Sequence, residues 1–184
     1  MARGLQQAGR YGILFMVLSF LGWAAETLFF FLLYGRLCDR GFLTLPFCTI
    51  YGFSFLLLYF LLGVPGSGQG GLLPGGRAPS LPVYFLLSAL IPTGLELITG
   101  VLFHRVFGIR LWSYAAYRFH FHGYICLEYT LLWGILLPPA MRYLFLPLKN
   151  WVFALPAPWV RTLAAALLLP AAVDWAVSIA QALG

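Results

Sequence analysis

Charge is the scarcest feature of this sequence: 9% of its 184 residues are Asp, Glu, Lys or Arg, and only five are acidic. Soluble domains carry roughly 25% charged residues, so water is excluded as the solvent for most of the surface. No polar stretch is long enough to form a separate soluble domain. Cysteine is nearly absent too, with three in the chain (Cys38, Cys48, Cys126) and no CxxC spacing. That excludes a disulfide framework, since an odd number cannot pair fully within one chain. Beside apolar runs, cysteine reads as a small apolar residue. A Walker-type phosphate loop, an HExxH helix and a nucleophile elbow are all missing. The sequence thus gives no positive reason to prefer catalysis, and nothing in it calls for a cofactor. The net charge of +6 comes from basic residues scattered through short connections, without an aromatic-interleaved patch on a soluble face. Nucleic acid is a poor partner for that pattern, whereas anionic lipid headgroups suit it.

What is abundant is apolar: 62% hydrophobic and 18% aromatic residues, with a mean hydropathy of +0.91. The expectation is an all-α, polytopic membrane bundle with about five spans of ~20 residues and aromatic belts at both interfaces. The spans fall at about 11–34, 43–64, 82–103, 123–145 and 159–183 of a single transmembrane domain. Ala24-Ala25 imitates a signal-peptide cleavage site, but the apolar run continues through Phe29–Leu33, which predicts a retained helix. The Gly/Pro/Ser-rich segment over about 65–81 predicts a flexible loop. Pro92 and Pro170 lie inside spans, Pro138-Pro139 predicts a kink or an end, and 146–158 reads as interfacial.

Basic residues divide almost evenly between the two sides. Arg3, Arg10, Arg77, Arg142, Lys149 and Arg161 fall on the N-terminal side. Arg36, Arg40, Arg105, Arg110 and Arg118 fall on the other. The small excess favours a cytoplasmic N-terminus in an inner (plasma) membrane.

The five acids are Glu26, Asp39, Glu96, Glu128 and Asp174, and four of them fall within predicted spans. An ionisable group there costs about 2.5–3.5 kcal/mol even on gentle insertion scales, so it calls for a reason. Measured from one common face, these four lie roughly 8–14 Å deep at 1.5 Å per residue. The connections on that face carry Arg36, Arg40, Arg105, Arg110, Arg118 and all three histidines. Two readings compete: charge pairs that only lock helices and loops together, or a polar cavity that opens outward. Local neighbours lean toward a cavity. Thr93, Glu96, Thr99 and Gly100 share one helical stripe below Pro92. On the first helix, Gly22 and Trp23 precede Glu26 by one turn, which also fits close helix packing.

Several ordered blocks carry a family resemblance: Phe20-Leu21-Gly22-Trp23 with Glu26-Thr27, Arg40-Gly41-Phe42-Leu43, and Ile50-Tyr51-Gly52. It resumes at Thr93-Gly94-Leu95-Glu96, Leu111-Trp112-Ser113-Tyr114, and Gly123-Tyr124-Ile125-Cys126-Leu127 with Trp133-Gly134. Over roughly three quarters of its length the chain resembles the bacterial membrane proteins called putative ABC-transporter type IV, or CmpB-like, permeases. The resemblance implies a transport role and, with no phosphate loop in this chain, a separate nucleotide-binding subunit. This chain departs from the family pattern at Ser113, where an acid is usual, at Thr49 and at His120.

The expected site comprises Glu26, Arg40, Glu96, Arg110 and Glu128, with Trp23, Tyr51, Thr93, Trp112, Tyr114 and Asp174 as secondary members. It would bind or move a small charged or polar solute. His120, His122 and Cys126 offer a weaker metal constellation, since HxH with a distant Cys is not a specific zinc spacing. Two other classes stay open. One is an intramembrane enzyme using the glutamates as acid and base on a lipid-linked or small polar substrate. The other is a non-catalytic scaffold or assembly subunit. Five spans are few to enclose a route alone, so a homo-oligomer or other membrane subunits are expected, with Ala164–Ala166 and Gly94/Gly100 as close-approach surfaces.

Overall fold

The computed structural model describes residues 2–35, 42–72 and 78–183. Arg36, Cys38, Asp39, Arg40 and Arg77 lie outside the described residues, so the predicted arginine partner Arg40 has no placement here. The elements, in order, are α1 (Ala2–Tyr34), α2 (Thr49–Leu62), α3 (Leu81–Phe107), β1 (His120–Phe121), β2 (Ile125–Cys126) and α4 (Leu127–Ala140). A π-helical turn (Met141–Phe145), α5 (Leu146–Ala154) and α6 (Ala157–Leu183) follow. Among the described residues, four helical runs are long and apolar enough to cross a membrane: Gly4–Tyr34, Leu81–Phe107, Leu127–Ala154 and Ala157–Leu183. The chain is an α-helical membrane protein of the expected class.

The helix limits differ from the expected spans in three places. The second expected span yields only the 14 residues of α2, about 21 Å of helix against a hydrocarbon core of ~30 Å. Its first part, ahead of Thr49, is a bent segment containing Pro46, and the residue before a proline avoids the helical region. The fourth helix begins at Leu127 rather than near 123, because a two-residue antiparallel ladder occupies 120–126. It then passes through Pro138-Pro139 and continues to Ala154. The stretch 146–154, expected to be interfacial, is therefore helical. Prolines remove backbone donors from the ladder, and the adjoining π turn at Met141–Phe145 is a usual way for a helix to absorb such an interruption.

The chain divides into two compact units, Met1–Phe53 with Leu148–Gly184 and Ser54–Pro147. In the first, α6 buries Val160, Ala164, Ala171, Asp174 and Ser178, spacings of three, four and seven that make one stripe. Small residues let α1 approach: a Cβ on Gly9 would lie 3.2 Å from Val160. Glycine also seats the start of α2 on α1. Gly22 lies under the Tyr51 ring, and a Cβ on Gly52 would fall 2.5 Å from Ser19 Oγ and 2.7 Å from the Phe15 carbonyl oxygen. The Cys48 N–H donates to the Ser19 carbonyl at 3.0 Å beside this contact. The Phe15 carbonyl is backbone and cannot swing away. Gly52→Val is therefore expected to destabilise the detergent-solubilised protein by about 3 kcal/mol, the top of the overpacking range. The helix propensity gained is only a few tenths of a kcal/mol. A thermal melt that does not move would contradict this packing.

In the second unit, α3 and α4 form an antiparallel hairpin. The buried positions of α3 are Tyr84, Ser88, Ala89, Pro92, Thr93, Glu96, Gly100 and Phe103, again one stripe. Pro82 enters at the first turn, where its missing N–H costs nothing, and Gly108 at φ 69° closes the helix by donating to the Phe103 carbonyl. Gly134 lets α4 lie against Phe85 and Ala89, 2.9 and 3.2 Å from where its Cβ would stand. Hydrogen bonds hold the described residues 63–71 of the Gly/Pro segment to α2 and α3. Val64 N–H donates to Gln69 O at 2.9 Å, Gly71 N–H to Tyr59 O at 2.9 Å, and Tyr84 Oη to Gly63 O at 2.8 Å. Phe145, in the π turn, stacks on Phe55 with centroids 6.2 Å apart.

Candidate functional site

The hairpin of the second unit holds the densest polar and aromatic chemistry among the described residues. In an α-helix every side chain leans toward its own N-terminus. Because α3 and α4 run antiparallel, Glu96 leans one way along the hairpin axis and Trp133 leans the other, so the two meet. Trp133 Nε1–H donates to Glu96 Oε1 at 3.0 Å. Tyr114 Oη donates to the same oxygen at 3.5 Å, the long limit for such a bond. Glu96 is buried, at 8% exposure. Phe107 ends α3 eleven residues later, so the carboxylate lies about 16 Å in from that helix end.

One turn deeper, Thr93 Oγ1 donates to Thr130 Oγ1 at 3.0 Å, and Thr130 Oγ1 donates to the Cys126 carbonyl at 2.9 Å. Tyrosine rings pack against that of Tyr114. Tyr114 and Tyr129 lie 4.9 Å apart centroid to centroid, Tyr117 meets Tyr129 edge-on at 5.4 Å, and their hydroxyls bond at 3.3 Å.

The loop that carries Tyr114 is fastened independently. Tyr114 N–H donates to the Gly123 carbonyl at 2.9 Å, and Trp112 Nε1–H to the Tyr124 carbonyl at 2.8 Å. Tyr124 Oη is 2.6 Å from His104 Nδ1 at the end of α3. Tyr124 packs against Gly100, where a Cβ would be only 3.0 Å from the ring. The Arg110 guanidinium sits over the other part of this cluster, 5.3 Å from the Tyr124 centroid. Trp112, Tyr114, Thr93 and Glu96 thus come together in one unit. Arg110 belongs to the exposed rim of the same unit.

The remaining expected residues stand elsewhere. Glu128, expected about five residues into a span, is in the first turn of α4 and exposed. An acid suits that position because the helix N-terminus carries partial positive charge. Glu26 and Trp23 lie half-buried on α1 in the first unit, with Trp23 stacked on Phe20 at 6.0 Å. Tyr51 covers Gly22 there. Asp174 is buried, but its oxygens hold a turn: Oδ1 accepts Thr44 N–H at 3.3 Å and Oδ2 accepts Leu45 N–H at 2.8 Å. An open groove beside it, lined by Thr44, Leu45, Leu169, Pro170, Val173 and Val177, is almost wholly apolar.

Among the described residues, no three His, Cys, Asp or Glu side chains gather to hold a metal ion. His120 Nδ1 accepts the Gly123 N–H at 3.1 Å, which assigns its proton to Nε2. His122 is exposed at φ 50° with its ring edge-on to Phe121. Burial pushes the Cys126 thiol pKa up, and the nearby Glu128 charge adds to the rise. A thiol held protonated is a poor metal ligand.

Sequence reasoning missed Trp133 and Tyr129 as members of this group. The signal was present: Cys126, Thr130, Trp133 and Leu137 recur at spacings of four, three and four, one face of a helix. Compared with known proteins, a model of the family described as putative ABC-transporter type IV matches residues 13–179. No curated protein and no solved structure matches the chain.

Proposed function

Because the chain belongs to the putative ABC-transporter type IV family, we propose that it is a permease-like membrane component that binds a small cationic solute at the Glu96 carboxylate. It stands in the inner membrane with a cytoplasmic N-terminus. It works with a separate nucleotide-binding subunit, since the sequence contains no phosphate loop, and as an oligomer or with other membrane subunits. The observation that carries the reading is the buried Glu96 carboxylate, which accepts from Trp133 Nε1–H and Tyr114 Oη, with Tyr129 packed on the Tyr114 ring. A carboxylate with aromatic faces is the chemistry that receives ammonium or guanidinium groups. Each aromatic contact adds about 0.5–2 kcal/mol once water is removed. A small inorganic anion would meet charge repulsion at the same place. A scaffold needs no buried charge set beside aromatic rings.

The test uses the purified full chain in mild detergent, with tetramethylammonium, guanidinium and acetate as probes. Any ligand that binds only the folded state raises the unfolding temperature in proportion to its occupancy. Tetramethylammonium and guanidinium are expected to raise it in a saturable way at millimolar concentration, and acetate is not. Equal shifts from all three salts would reduce the effect to ionic strength and defeat the proposal.

A further inference from the structure

A second concentration of charge stands in the first unit, where α5 gives way to α6. Arg10 Nη2 donates to the Leu155 carbonyl at 3.1 Å, in the short turn between these helices. The Arg10 guanidinium also lies 5.6 Å from the centroid of the Phe153 ring, and the Lys149 ammonium lies 4.9 Å from the same centroid. Two cations therefore share one aromatic ring. Arg161 is exposed near the start of α6, beside the contact of Gly9 with Val160.

Glu26 is sixteen residues along α1 from Arg10, and Asp174 is seventeen past the start of α6, distances of about 24 and 25 Å. That is about three Debye lengths at physiological salt. The first turn of α6 has no acidic residue, so the positive end of its dipole adds to the field instead of offsetting it. The Nε of Arg10 is buried and has no hydrogen-bond partner among the described residues. A buried guanidinium N–H without an acceptor is costly. Clustered cations, a helix N-terminus and an unused donor all call for an anion of several oxygens.

The place identifies the source. The turn at Leu155-Pro156 joins two helical runs that are each long and apolar enough to span a membrane, so it stands at a membrane surface. Trp151 and Trp159, 56% and 60% exposed, flank it as interfacial anchors. We propose that this end of the first unit binds the phosphate group of an anionic lipid headgroup, through Arg10, Lys149 and the N-terminus of α6. Phe153 holds the two cations in place before the lipid arrives, and Arg161 adds to the attraction from the rim. Free phosphate shares the chemistry but not the apolar chains that would lie along the flanking tryptophans.

Native mass spectrometry of the full chain in detergent tests this with phosphatidylglycerol, phosphatidylcholine and inorganic phosphate. Phosphatidylglycerol is expected to bind about tenfold tighter than phosphatidylcholine, and Arg10→Gln to remove most of that preference, one charge-assisted contact being worth about a factor of ten. Arg10→Lys keeps the charge and should retain more of the preference than Arg10→Gln. If Arg10→Gln does not fold, exposed Arg161→Gln carries the same test with an expected loss of about threefold. Equal binding of the two lipids, or an unchanged preference in the arginine variants, overturns the proposal. Displacement of phosphatidylglycerol by millimolar inorganic phosphate would overturn the lipid assignment in favour of a free anion.

Discussion

Glu96→Gln is expected to leave the α3–α4 hairpin folded while lowering the affinity for tetramethylammonium at least about tenfold, or 1.4 kcal/mol. Gln keeps an oxygen for Trp133 Nε1–H and Tyr114 Oη, so the packing of the site has no reason to change. What it removes is the charge, whose attraction for a cation in this low-dielectric setting is much larger than in water. Glu96→Leu separates the two contributions. It leaves both donors without their acceptor in a buried place, which costs about 1–3 kcal/mol for each donor stranded. The Leu variant should therefore lose both stability and binding, and the Gln variant binding alone. Thermal unfolding and tetramethylammonium titration of both variants check this. A Gln variant that binds as wild type would assign Glu96 a purely structural role.

The second large effect is expected at Asp174, and it concerns stability. Its two oxygens accept the Thr44 and Leu45 N–H groups, which orders the bent segment before α2. Hydrogen bonds to a charged partner are worth about 1.5–3 kcal/mol each. Asp174→Leu is therefore expected to cost about 3–5 kcal/mol in a thermal melt and to hasten proteolytic cleavage near residues 42–46. Asp174→Asn retains one accepting oxygen and should lose roughly half as much. A leucine variant with the stability and protease resistance of wild type would show that the turn is held by other contacts.

Hydropathy made the helical membrane fold legible, because runs of about 20 apolar residues with so little charge suit membrane-spanning helices. The short α2 was not legible, since Leu43, Leu45 and Phe47 look as apolar as a span. What shortens the helix is Pro46 together with a turn held by Asp174, a residue 129 positions from Leu45. The passage of the fourth helix through Pro138-Pro139 depends on the π turn beyond it, and tertiary packing of Phe145 supports that turn. In the site, Glu96 and Thr93 were readable from their shared stripe, and Trp112 and Tyr114 from their sequence block. Glu128 was misplaced because a hairpin of two-residue strands delays the helix start by four positions. Trp133 and Tyr129 escaped because aromatic residues in an apolar helix usually signify packing. Their polar atoms acquire a role only when the antiparallel partner helix supplies an acceptor.

The most direct test of cation binding uses Trp133 as its own reporter. With Trp23, Trp151, Trp159 and Trp175 replaced by phenylalanine and Trp112 kept because its indole fastens the site loop, the Trp133 indole donates straight to the Glu96 carboxylate. Titration with tetramethylammonium should change its emission saturably, with no change under equal concentrations of sodium acetate and none in the Glu96→Gln background. An emission insensitive to the cation, or an equal response in the Glu96→Gln protein, would contradict a solute site at this carboxylate.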